Sequence, residues 1–204
     1  RLGASGRLVD ARVFERHEVA AAADWAAEAA VVAIDAPSEL STDAHAADDG
    51  LAPKYRGARC AEVALGGEWG IWVPWATPLA SPADWMAHGL DLYEALRGRT
   101  RSVEVYPFAG FRVLGRARLP PKLTVPGIRR RLDILARAGF APAGLQAWSH
   151  DGIDVAMAAV IARDVGLGSA VLVTCGHDRS VIALPAGAMR GTPLAEGERP
   201  PGED

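Results

Sequence analysis

The chain has 204 residues, half of them apolar, and a formal net charge of -3 at pH 7. This length suits one compact domain with a sizeable core, and the composition excludes a chain that is disordered throughout. The charge excludes a strongly basic nucleic-acid-binding protein, so any nucleic-acid contact has to use local basic clusters. We predict one domain over residues 1–192 and a flexible tail over residues 193–204.

The two cysteines, Cys60 and Cys175, lie in unrelated sequence surroundings, with no C-x-x-C motif and no histidine at metal-ligand spacing. We therefore expect two buried free thiols rather than a zinc site or a disulfide. The sequence has no apolar stretch long enough to span a bilayer and no signal peptide. These features predict a cytoplasmic protein with no membrane partner.

The first half of the chain contains one short, wholly apolar run. Residues 7–13 alternate and predict a strand, and the alanine-rich residues 15–30 predict a helix. Residues 31–34 are apolar and rich in β-branched side chains, which is typical of a buried central strand. Residues 38–55 predict irregular structure. A short helix over 58–65 and a tryptophan-bearing loop over 66–82 are expected to follow.

Strands and helices alternate in the second half of the chain. Ser81 is the expected N-cap of a helix that reaches about residue 97, and Ser149 is the expected N-cap of a helix over 149–165. The other predicted elements are a central strand at 102–106, a helix from Pro126 to about Gly139, and a closing strand or hairpin over 170–184. This alternation predicts an α/β fold with a mixed sheet.

Four carboxylates lie where such a fold would bring them together. Asp35 and Glu104 come at the ends of the two apolar strands, and ligand sites in α/β sheets lie outside the carboxyl ends of parallel strands. Asp151 and Asp154 are three residues apart, so they share one face of the late helix. Residues 155–161 of that helix are apolar on all sides, so the helix is expected to be buried.

Crowded carboxylates repel each other, and a divalent cation relieves this repulsion. Oxygen ligands alone suit Mg²⁺ or Mn²⁺, and two such ions about 4 Å apart can promote phosphodiester cleavage. Each acid also has a purely structural interpretation. Asp151 could interact with the helix dipole, Asp35 could form a turn, and Glu104 could occupy an exposed edge.

Six motifs in a fixed order carry a family resemblance. They are VVAIDAP at 31–37, R-x-x-E at Arg59 and Glu62, VEVYP at 103–107, Lys122 ahead of a helix, HDGIDVAMAA from His150, and VIALP at 181–185. From about residue 7 to residue 185 the chain resembles the predicted-nuclease family called domain of unknown function 429, of the ribonuclease-H-like superfamily.

The resemblance implies a ribonuclease-H-like mixed central sheet flanked by helices. It also implies a two-metal catalytic site in which Asp35, Glu104, Asp151 and Asp154 are the metal ligands. By their place in the motifs, Arg59, Glu62 and Lys122 are assigned to substrate binding. The family's first aspartate, in a G-[IV]-D pattern, has no match here. We expect either that its strand precedes Arg1 or that the protein lacks this ligand.

The expected function is hydrolysis of phosphodiester bonds in DNA or RNA by a metal-dependent nuclease. The alternative is a catalytically impaired protein of the same fold that binds nucleic acid or acts as a scaffold. A kinase-like phosphotransferase would need glycine-rich phosphate-binding hairpins, which the sequence does not show. Four tryptophans could stack on bases or pack a lid: Trp69, Trp72, Trp75 and Trp85.

Overall fold

A computed structural model describes residues 1–3, 5–140 and 149–189, and its described part is built on one four-stranded sheet. The strands are β1 (Val31–Ile34), β2 (Arg101–Val105), β3 (Val171–Val173) and β4 (Ile182–Leu184), in the order β1-β2-β4-β3. β1, β2 and β4 run parallel, whereas β3 pairs antiparallel with β4. The predicted mixed α/β fold is therefore confirmed, and it is consistent with a ribonuclease-H-like fold. The predicted tail, 193–204, lies outside the described residues.

Helices cover both faces of this sheet. They are α1 (Val19–Ala26), α2 (Cys60–Trp69), α3 (Asp84–Leu96), α4 (Pro107–Gly115), α5 (Val125–Arg137) and α6 (His150–Gly166), with a 3₁₀ turn at Pro53–Tyr55. α5 and α6 pack on the face that carries Val105 and Ala183. α1, α2 and α3 pack on the opposite face, which carries Ile34 and Ile182. None of the helices in the described ranges is long and apolar enough to cross a membrane.

α6 is the central helix of the larger core, and local sequence explains where it begins. The Ser149 Oγ accepts a hydrogen bond from the Gly152 backbone N–H at 3.3 Å, as the sequence predicted for an N-cap. Its apolar side chains, among them Met157, are buried on several sides. α4 packs closely against it, because a Cβ at Gly110 would lie 2.9 Å from the Met157 side chain. This packing fixes the start of α6 relative to the sheet.

Two predictions about the first strands are wrong. β1 lies at an edge of the described sheet rather than at its centre, and Val31 and Val32 are only half-buried. The strand predicted over residues 7–13 is reduced to an isolated bridge between Leu2 and Leu8. Apolar patterning alone could not distinguish these cases, since an edge strand with one well-packed face can carry the same side chains as a central one.

Two helix starts also differ from the prediction. α3 has Ala83 as its N-cap without a side-chain hydrogen bond, and Ser81 instead adopts a positive φ of 54° in the preceding turn. The sequence did not predict α4, because Pro107 directly follows the predicted strand at 102–106 and a proline typically ends a strand. Pro107 occupies the first turn of α4. Backbone N–H groups there have no partner within the helix, so the missing N–H of proline costs no hydrogen bond.

Candidate active site

Asp35 and Asp154 line the same cleft, which lies at the carboxyl end of β1 and β2. The cleft has a volume of about 470 Å³. Asp35 directly follows β1, and Asp154 lies in the first turns of α6. The fold thus places both of these acids in one cleft.

The strand register separates Asp35 from Glu104. Ile34 of β1 pairs with Glu104 of β2, so these two side chains lie on the same face of the sheet. Side chains alternate along a strand, and Asp35 therefore falls on the other face, which is covered by α6. Asp35 consequently meets Asp154, whereas Glu104 points toward the side covered by α2 and α3.

Glu104 is held by a buried arginine. Its two carboxylate oxygens accept hydrogen bonds from the Arg59 guanidinium at 2.8 and 2.6 Å. The backbone N–H and hydroxyl of Ser38 also donate to Glu104, at 2.8 and 3.0 Å. Since Ser38 is three residues after Asp35, this carboxylate fixes the turn that carries Asp35.

Arg59 also binds Glu62, which makes a three-residue ionic cluster. The guanidinium donates to the Glu62 Oε1 at 2.9 Å, and the Thr77 hydroxyl donates to the same oxygen. Burial by itself lowers the pKa of Arg59, but its bonds to Glu104 and Glu62 raise that pKa above its ordinary value. Arg59 and Glu62 are each only 1 % exposed, so a substrate in the cleft does not reach them.

These contacts bear on three of the predicted site residues. Glu104 already uses both oxygens within the protein, and Arg59 and Glu62 are enclosed. The assignment of Glu104 as a metal ligand, and of Arg59 and Glu62 as substrate-binding residues, stays a prediction. What the structure gives them is a positioning role, because together they brace the segment that follows β1.

The electrostatic environment of Asp35 is unfavourable to its negative charge. Crowding by protein atoms and the nearby Asp154 carboxylate raise the pKa of Asp35 to about 7, although its side chain opens onto the cleft. Burial also raises the pKa of Asp154, and the Lys122 Nζ, 3.5 Å from Asp154 Oδ2, partly offsets this. Two acids with raised pKa values in one cleft are typical of a functional site.

Asp151 lies near Asp35 but is not among the residues that line the cleft. Its side chain is 75 % exposed and pairs with the His150 Nε2 at 3.0 Å. The negative charge of Asp151 contributes to the raised pKa of Asp35, so the two carboxylates are near each other. Sequence spacing placed Asp151 and Asp154 on one side of α6, and only Asp154 enters the cleft.

The acids of the cleft are of the type that binds a divalent cation. Asp35 and Asp154 offer oxygen ligands that suit Mg²⁺ or Mn²⁺, with Asp151 close by. Among the described residues, no three of the four predicted acids have ligand atoms within 4.8 Å of one another. Glu104 lines a smaller cavity together with Asp35, and Arg59 binds both of its oxygens there.

Cations and aromatic rings form the remaining walls of the cleft. Lys122 and Arg131 line it on the side of Asp154. The other wall consists of Trp75, Trp85, Tyr106 and Phe108. The ring of Trp75 packs edge-on against Trp85 at 5.2 Å and against Tyr106 at 5.3 Å.

Some of these cleft residues were not singled out from sequence. Tyr106 follows Glu104 by two residues at the end of β2, and this position at a strand terminus was the available signal. The sequence showed Arg131 only as one of the consecutive arginines at 129–131. Its guanidinium donates to the carbonyls of Pro120 and Gly127, at 3.1 Å in both cases, so it is held at the base of the cleft.

The prediction of two free cysteines in unrelated surroundings is wrong. Cys60 and Cys175 form a disulfide, and His45 lies against both sulfurs. The three residues are 15 and 115 positions apart along the chain, so local spacing could not reveal them. In the described ranges they form the one group of three histidine, cysteine or acidic residues whose ligand atoms could share a metal ion.

Comparison with known sequences supports the resemblance. The family described as "Protein of unknown function (DUF429)" matches residues 83–178, a range that includes Glu104, Lys122, Asp151 and Asp154. Neither the curated proteins nor the solved structures gave a significant match to this chain. The predicted resemblance to this family is therefore confirmed over residues 83–178.

Proposed function

We propose that this protein is a metal-dependent nuclease that hydrolyses phosphodiester bonds, with its active site in the cleft of Asp35 and Asp154. The observation that carries the proposal is the joining of these two acids with Lys122 and an aromatic wall in one cleft. Carboxylates suit a divalent cation, lysine suits a phosphate, and flat rings suit a nucleic-acid base.

Mg²⁺ or Mn²⁺ would be held by Asp35 and Asp154. When bound, the ion would supply positive charge at the scissile phosphate and make a nearby water more acidic. Without a cation, Asp35 retains a proton up to about pH 7 because its charged form is disfavoured. A cation would compete with that proton for the Asp35 carboxylate and stabilise its charged form. The raised pKa of Asp35 therefore supports an ion at this position.

The other residues of the cleft would act on the substrate. Lys122 is half-exposed, so it can leave Asp154 and contact a phosphate oxygen. Trp75, Trp85 and Tyr106 would stack on bases and exclude water from one side of the reacting phosphate. The Arg59–Glu104 pair would position Asp35 through the Ser38 hydrogen bonds without touching the substrate.

One observation favours a second candidate, a nucleic-acid-binding or scaffold protein without catalytic activity. Both oxygens of Glu104 are bound by Arg59, which leaves Asp35 and Asp154 as the acids that enter the cleft. A site of two carboxylates could bind a cation and a phosphate without positioning a water for attack. Activity assays separate this candidate from the nuclease.

The test measures cleavage of labelled single-stranded, duplex and branched DNA and of RNA–DNA hybrids. We expect cleavage with Mg²⁺ or Mn²⁺ and little with Ca²⁺, whose looser coordination positions water poorly. Asp35→Asn and Asp154→Asn should each lower the rate by on the order of 100-fold or more, because such sites act as a unit. Asp151→Asn should have a smaller effect, because Asp151 is exposed and does not line the cleft.

Two results would count against the proposal. A folded protein that cleaves no substrate with any of these ions, but binds the labelled strands and binds them more weakly after Lys122→Ala, would support the binding protein. Full activity in the purified Asp35→Asn protein would indicate a contaminating nuclease.

A further inference from the structure

A second cluster of ligand-type side chains lies where α2 begins and the loop after β3 passes. The Nε2 of His45 is 3.5 Å from the Cys60 sulfur and 3.2 Å from the Cys175 sulfur. His45 and Cys60 are buried, and Cys175 is half-buried. A tetrahedral zinc site with ordinary bond lengths separates its sulfur and nitrogen ligands by roughly 3.5 Å. The imidazole therefore already stands at metal-site distance from both sulfurs.

The surroundings of Cys60 stabilise a thiolate. Cys60 is the first residue of α2, where the helix dipole favours negative charge. The backbone N–H groups of His177 and Asp178 also donate to its sulfur, at 3.1 and 3.3 Å. A disulfide sulfur is a weak hydrogen-bond acceptor, so two donors directed at it are better explained by a sulfur that can carry charge.

His45 is oriented as metal-bound histidines commonly are. Its other ring nitrogen, Nδ1, faces the carboxylate of Asp48 at 3.9 Å. The carboxylate is too distant for a direct hydrogen bond, but it attracts a proton on Nδ1, and that tautomer leaves the Nε2 lone pair directed at the sulfurs. His45 therefore presents its free nitrogen to both cysteines.

We propose that Cys60, Cys175 and His45 bind one Zn²⁺ ion when the two cysteines are reduced, with the fourth position taken by solvent. Two thiolates and an imidazole suit zinc rather than Mg²⁺ or Mn²⁺. The disulfide is the oxidised, metal-free form of the same pair. Its two sulfurs must separate to roughly 3.8 Å to ligate one ion.

Reduction by a phosphine reagent provides the thiols. The phosphine takes up an oxygen atom from water and becomes the phosphine oxide, and the disulfide gains two electrons and two protons to give two thiols. Binding of the ion then releases both thiol protons to solvent. No other redox partner is required.

The test uses the full chain, reduced with a phosphine, exchanged into oxygen-free buffer and titrated with Co²⁺ as the spectroscopic probe. We expect one Co²⁺ per chain with a thiolate-to-cobalt charge-transfer band, and stoichiometric loss of that band when Zn²⁺ is added. The oxidised protein should show no such band. Because this comparison needs no substitution, it is independent of any folding defect in a variant.

Variants then identify the ligands. Cys60→Ser and Cys175→Ser should each lower the charge-transfer absorbance to about half or less, because one of the two thiolate ligands is lost, and His45→Ala should weaken Co²⁺ binding by on the order of 100-fold. Asp48→Asn should weaken it about 10-fold, as expected for a partner of a ligating histidine. His88→Ala, a control on the half-buried part of α3, should bind as the wild type does.

One control and two contrary outcomes make the test decisive. Asp154→Asn should retain the band, which separates this site from the carboxylate cleft and from the proposed nuclease activity. A reduced protein that keeps its circular dichroism spectrum but shows no thiolate–cobalt band would overturn the proposal and leave a structural disulfide. A band of wild-type intensity in Cys175→Ser would overturn it as well.

Discussion

Glu104 and Arg59 form a buried two-point ion pair, with the guanidinium nitrogens 2.6 and 2.8 Å from the carboxylate oxygens. The partners come from positions 45 residues apart, at the end of β2 and the start of α2. The pair joins these two elements to the turn after Asp35, because Ser38 donates to the same carboxylate. The geometry of the cleft thus depends on residues that do not line its open part.

Removal of the Arg59 charge is expected to destabilise the protein strongly. Arg59→Met leaves Glu104 and Glu62 buried without a cation, and breaking a buried pair in this way costs about 3–5 kcal/mol. The matched control is Arg97→Met, which breaks an exposed pair with Glu94 and should change the free energy of unfolding by less than about 1 kcal/mol. Urea unfolding of both variants measures the difference. If both variants lowered the free energy of unfolding equally, the buried pair would stabilise the fold no more than the exposed pair does.

The raised pKa of Asp35 predicts a pH-dependent stability. Its folded-state pKa of about 7 lies above its ordinary value of 3.8, so the folded protein binds this proton more tightly than the unfolded chain does. The Asp35 contribution to stability is therefore present below about pH 4 and is lost as the pH rises to about 7. Asp35→Asn should remove that loss, and its melting temperature should exceed that of the wild type most clearly above pH 7. Parallel melting curves between pH 4 and pH 8 would contradict the assignment.

Asp154 is expected to carry much of the affinity of the cleft for a divalent cation. Millimolar Mn²⁺ should raise the melting temperature of the wild type, because the ion binds the assembled acids and not the unfolded chain. Asp154→Asn should abolish this rise, and Asp151→Asn should retain most of it because Asp151 is 75 % exposed. Differential scanning fluorimetry with and without Mn²⁺ gives both results. An unchanged response in Asp154→Asn would remove this residue from the proposed ligands.

Gly89 is expected to control the fit of α3 against the turn that follows β1. A Cβ at this position would lie 2.3 Å from the Ala36 Cβ, next to Asp35. Gly89→Ala should therefore cost about 1–3 kcal/mol through overpacking. Gly67→Ala in α2 is the matched control, because a Cβ there meets no atom within 4 Å.

The control should gain up to about 1 kcal/mol, as alanine is the better helix former. Urea unfolding measures the stability of both proteins, and Mn²⁺ titration shows whether the Asp35 turn has moved. A stabilised Gly89→Ala protein would mean that α3 and this turn are not in close contact.

Local sequence determined the elements that carry the candidate site. Apolar runs predicted the positions of β1 and β2, and the Ser149 cap with the apolar residues behind it predicted α6. Capping and periodicity act between residues a few positions apart, so a single sequence contains these signals. The same signals placed Asp35 and Glu104 at strand ends and Asp154 near a helix start.

The tertiary structure decided which of these residues meet. The register pairs Ile34 with Glu104. It therefore puts Asp35 on the side of the sheet covered by α6, and Glu104 on the opposite side, where it binds Arg59. A shift of one residue in that register would pair Asp35 with Glu104 and put both on the same face of the sheet. No local sequence pattern specifies this register. Cys60 and Cys175, 115 positions apart, likewise meet because α2 packs beside the β3–β4 loop. The sequence shows which side chains are available for chemistry. Which of them meet depends on strand register and on long-range packing, because both arise only when distant segments bury their apolar faces together.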